Sequence, residues 1–80
     1  MTYEEAIKKI SELNARGWAF SMTQGMGRIV LNEFSGGFTH HGGCSGGEFY
    51  ANTFPELVEV TSDAVEQMEE RWLAQKRYSV

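Results

Sequence analysis

The residues able to do chemistry gather in one stretch, "HHGGCSGGE" at 40–48, which holds both histidines, the only cysteine, four glycines and a carboxylate. Three chemistries use such residue types. A structural zinc site wants four ligands at tight spacing. His40 and His41 are adjacent, so on a strand they point to opposite faces. One of them is then left with Cys44 and Glu48, three ligands with a carboxylate among them and no C-x-x-C or H-x-x-x-H pair. A thiolate nucleophile wants a helix N-terminus or a fixed cation beside it. The glycines around Cys44 supply neither, and no third residue orients a histidine base. A phosphate cradle wants a lysine and a G-K-[ST] ending, which "GGCSGG" lacks, while "GMGRIV" leads into a strand instead of a helix.

What remains is mechanical. Six glycines fall within residues 36–47, and glycine loses more backbone freedom on ordering than any other residue. The stretch therefore reads as a flexible hairpin tip that a two-residue Asn-Gly turn could replace. As a contact loop it would offer His40, His41, Cys44 and Glu48 to a partner. The alternative is a small metal- or thiol-dependent protein centred on His40, His41 and Cys44. The leading expectation is no enzyme and no cofactor.

A second candidate lies in the C-terminal third. At about 100° per residue, Phe54, Leu57, Thr61, Ala64, Val65, Met68 and Trp72 share one sector, and Glu56, Glu59, Asp63, Glu66 and Glu70 share the opposite one. Both stripes keep phase, which predicts one helix over 55–75 with an acidic outer face. Thr53 and Glu56 form a capping box at its start, and Pro55 lies in the first turn, where it is tolerated. A solvated face explains such a stripe, and so does a docking surface for a basic partner, whose encounter it would steer.

These candidates need elements to hold them. Residues 2–16 read as a helix: Thr2 and Glu5 make a capping box, Ala6, Ile7, Ile10 and Leu13 recur at helical spacing, and Gly17 stands where a left-handed cap residue belongs. Residues 18–23 alternate as a half-buried strand, "QGMG" offers a turn, and "RIVLNEF" at 28–34 reads as a second strand that Gly36 and Gly37 end. "FTHH" and "EFYAN" are short strands flanking the glycine loop. The order α–β–β–β(–β)–α implies an α+β two-layer sandwich, with an antiparallel sheet of three or four strands and two helices on one face. The aromatics could all serve its core, or some could lie on the open sheet face as a binding or dimer surface.

Eighty residues make a single domain, 1–80, and one cysteine excludes an internal disulfide and fits a reducing cytoplasm. No run approaches a membrane span, and the N-terminus lacks the apolar core of a signal peptide. A net charge of −4 without a basic patch argues against direct nucleic-acid binding. In length, acidity and compact α+β build the chain resembles small proteins encoded by phages and mobile elements, of which anti-CRISPR proteins are a class. That resemblance implies a stoichiometric inhibitor, monomer or weak dimer, acting in the cytoplasm of a host cell. Its partner would be a host protein or ribonucleoprotein complex with a basic surface, whose access to DNA it blocks.

Overall fold

The computed structural model describes residues 1–24 and 33–78, with side chains through Gln75. Helix α1 (Tyr3–Ala15) leads into β1 (Trp18–Gln24), β2 (Phe34–His40) and β3 (Phe49–Ala51), and helix α2 (Phe54–Tyr78) closes the chain. The strands form one antiparallel sheet in the order β1-β2-β3. Both helices pack against it, the α+β arrangement expected. Of the expected turn at 24–27, Gln24 instead closes β1, and the rest of it, with most of the expected strand 28–34, lies outside the described residues.

Local chemistry explains the helix ends. Glu5 N–H donates to Thr2 Oγ1 at 3.2 Å, and Glu5 Oε1 accepts from Thr2 N–H at 3.3 Å, so two orphan donors are met reciprocally. Gly17 ends α1 at φ +95°, a conformation that costs glycine little. At α2, Glu56 N–H donates to Thr53 Oγ1 at 3.3 Å, the forward half of the expected box.

The sheet differs from expectation at Gly36 and Gly37. They do not end a strand; β2 runs straight through them, pairing Gly36 with Met22 and Gly37 with Ser21. The reason is close approach. A Cβ at Gly36 would lie 2.1 Å from Ser21 O, and one at Gly37 would lie 2.0 Å from Gly47 O. Only glycine lets β1 and the chain returning to β3 approach β2 so tightly.

Register assigns the faces. Trp18, Phe20, Phe34, Phe38 and Phe49 share the helix-covered face, and Ala19, Ser21, Thr23, Ser35, Thr39 and Tyr50 share the other. Leu13, Trp18, Phe38 and Val65 form the buried core, with Ile10, Phe20, Met68 and Trp72 packed against it. Among the described residues, Tyr50 is the one large aromatic on the open face.

The buried arc of α2 is wider than its apolar stripe. Val58 and Ser62 are also buried, on the flank where Glu66 and Glu69 meet α1. The helix serves two neighbours, the sheet and α1. Its buried hydroxyls bond to its own carbonyls: Thr61 Oγ1 donates to Leu57 O at 2.7 Å and Ser62 Oγ to Glu59 O at 3.0 Å.

Candidate functional site

The five acids of the stripe have separate fates. Glu66 receives Lys9 of α1, and Arg16 stands 4.0 Å from the same oxygen. Glu59 lies 3.9 Å from the Met1 amine. Glu56, Asp63 and Glu70 are exposed, and no cation among the described residues meets them. They are seven residues apart, so they follow one line along the outside of α2 over about 21 Å, at 1.5 Å per residue. The outward acidic face is thus narrower than the five-residue stripe. Lys9, which stands four residues after Glu5, reaches across to the second helix.

Glu69 is a residue that the stripe does not contain. Its Oε2 accepts from the Trp18 indole N–H at 3.3 Å, and its Oε1 takes Arg16 at 3.2 Å. One carboxylate therefore satisfies a buried indole and pins the C-terminal end of α1 to α2. In the helical wheel it lies between the apolar and acidic sectors, where a carboxylate reads as ordinary surface. The arginine beside a tryptophan after Gly17 is the only local hint of its role.

The glycine loop is more ordered than a loose tip. His40 O accepts from Gly43 N–H at 3.0 Å, and His40 N–H donates to Cys44 O at 2.7 Å. With Gly43 at φ +86°, this is a three-residue hairpin loop, 41–43. Residues 44–47 are the returning chain. Thr39 opposes Ser45 while Gly36 opposes Phe49, so one extra residue is bulged out, with Gly47 at φ +98°. Gly46 N–H donates to Phe38 O at 2.9 Å, and a Cβ there would stand 2.8 Å from Val65 Cγ2. The segment lies on the core, so replacing 42–47 by a two-residue turn would remove part of the sheet.

His40 is committed within the chain. Gly42 N–H donates to its Nδ1 at 3.1 Å, which leaves the proton on Nε2, 3.2 Å from the Arg16 carbonyl it donates to. Its ring meets Trp18 edge-on at 4.9 Å and Trp72 at 5.6 Å. His41, Gly42, Gly43 and Glu48 are exposed, and Cys44 is half-buried. Among the described residues, no three His, Cys, Asp or Glu side chains gather as a metal site would require.

Shallow hollows also mark the described surface, two of them beside the candidate residues. One, about 290 Å³, is lined by Arg16, Glu69, Trp72 and Leu73. The other, about 270 Å³, lies over the hydroxyl-rich sheet face, with Ser21, Thr23, Ser35, Thr39 and Glu48 around it. Neither holds a nucleophile with a base. Among the described residues no helix is long and apolar enough to cross a membrane. No family model, no curated protein and no solved structure matches this chain.

Proposed function

We propose that the chain is a non-enzymatic protein-binding module whose acidic α2 face docks on a basic partner. The observation that carries this reading is the line Glu56, Asp63 and Glu70. These carboxylates are exposed and unmatched by any described cation, on a rigid helix anchored along its other sides. Charges so placed steer encounter and set partner choice. The concrete form we propose is a phage-type, anti-CRISPR-like inhibitor acting in the cytoplasm of a host cell. Its target is a nucleic-acid-handling protein or ribonucleoprotein complex, and it blocks DNA binding by occupying the basic surface. The hairpin residues His41, Cys44 and Glu48 are the secondary contact, and His40, committed within the chain, holds the hairpin in place behind them.

Affinity capture at physiological ionic strength compares the wild type with Glu56→Lys/Asp63→Lys/Glu70→Lys. The expected result is a captured complex that the triple variant loses while keeping its circular dichroism spectrum. A folded triple variant that retains the same partner would show that the line is only a solvated helix face.

A further inference from the structure

Among the described residues, no strand pairs with the outer edge of β1. Gly17 O accepts from His41 N–H at 3.0 Å, which sets the alternation of the ladder. Residues 19, 21 and 23 of β1 exchange their bonds with β2, and Phe20, Met22 and Gln24 turn their N–H and C=O groups outward. Bonds from His40 and Gly46 across the other side of β2 keep the same alternation. Sheet edges are normally blunted by lysine, proline or a bulge. Strand β1, "WAFSMTQ", has no charge and no proline. Met22, in the middle of the outward run, is 38% exposed.

We propose that this edge pairs antiparallel with β1 of a second copy, joining two three-stranded sheets into one of six strands, with Met22 on the twofold axis. That register makes hydrogen-bonded pairs of Met22 with its counterpart and of Phe20 with Gln24 of the second copy, twice, giving about six backbone bonds at two per pair. On the open face it sets Ser21 opposite Thr23 of the second copy, a favourable hydroxyl pair. No like charges oppose one another along the seam. Met22 meets its own image, so a single sequence supplies both halves of a self-complementary interface. The acidic line on α2 plays no part in this pairing.

Sedimentation velocity from low micromolar to millimolar concentration reads the mass. The wild type should shift towards twice the chain mass as concentration rises. Met22→Pro removes only an outward N–H, so the β1–β2 ladder should survive and the protein should stay monomeric. Met22→Lys sets two cations on the axis and should do the same without touching the backbone. In a Cys44→Ser background, Met22→Cys should form an interchain disulfide on mild oxidation. Paired Cα atoms there lie about 5.5 Å apart, inside the disulfide range of about 4.4–6.8 Å. Gln24→Cys should not cross-link, being about 13 Å from its counterpart. A wild type that is monomeric throughout, a dimer that persists in Met22→Lys, or equal cross-linking at both positions would overturn the proposal.

Discussion

Glu69 shows how one carboxylate can serve two ends of a molecule. It accepts from an indole that is almost wholly buried and takes an arginine at the end of α1. Glu69→Ala should therefore cost about 1–3 kcal/mol, the penalty of leaving a buried donor unmet. Glu69→Gln keeps an acceptor and gives up only the pairing with Arg16, so it should cost under about 1 kcal/mol. Urea unfolding of the two variants separates these contributions. Glu5 acts at the other end of α1. Hydrogen bonds from the Thr2 side chain and backbone hold its carboxyl below the usual carboxylate range. A lowered folded-state pKa gives stability that is complete above the unfolded value and is lost as pH falls through the folded one. The stability difference between wild type and Glu5→Gln should therefore be present at neutral pH and vanish in acid. Equal differences at both pH values would mean that the carboxylate charge contributes nothing to the cap.

At the scale of elements, the helices were legible because their signals are local. Thr2 with Glu5, Gly17 after Arg16, and Thr53 before Pro55 each act within four residues. The path of β2 was not legible. Gly36 and Gly37 read as breakers, since glycine is depleted from strands, and what requires them is backbone from β1 and from the return of the glycine loop. Those neighbours stand fifteen residues before Gly36, at Ser21, and ten after Gly37, at Gly47, roughly two strand lengths or more in opposite directions, so no local window sees both. The candidate site was legible in the same measure: the phase of the acidic stripe is visible in the residues, but the loss of Glu66 to Lys9 depends on which helix lies alongside. Gly36→Ala and Gly37→Ala should each cost roughly 3 kcal/mol, the upper part of the usual overpacking range. Gly43, where a Cβ would meet no neighbour within 4 Å, should cost less and only through its positive φ. Thermal melts of the three alanine variants give the order.

For the whole molecule, charge and shape follow from α2. Its 25 residues run about 37 Å at 1.5 Å per residue, beyond strands of seven residues, and the molecule measures 50 × 25 × 17 Å. Reversing Glu56, Asp63 and Glu70 to lysine moves the net charge from −4 to about +2, two units per reversal. Because these side chains have no described ionic partner, Asp63→Lys and Glu70→Lys should each change folding stability by less than about 0.5 kcal/mol, while Glu56→Lys, in the first turn of α2, should cost about 0.3–1 kcal/mol more through the helix dipole. Glu66→Lys is the contrasting case. It sets a third cation against Lys9 and Arg16 and should cost about 1 kcal/mol, an effect that added salt screens. Chemical denaturation at low and high ionic strength distinguishes the two kinds of acid.

The stack of Trp18 on Trp72, at 5.6 Å and 11° between planes, gives the protein a built-in optical reporter. These are its only two tryptophans, and they are held together where α1, the sheet and α2 converge. Two parallel indoles so close couple their ultraviolet transitions, so the native state should show a paired circular-dichroism band that disappears when α2 separates from β1. Emission excited in the indole band reports the same junction. It is silent about the acidic line and the outer edge of β1, so a partner docking at either place would leave the glow unchanged unless the pull reached the core.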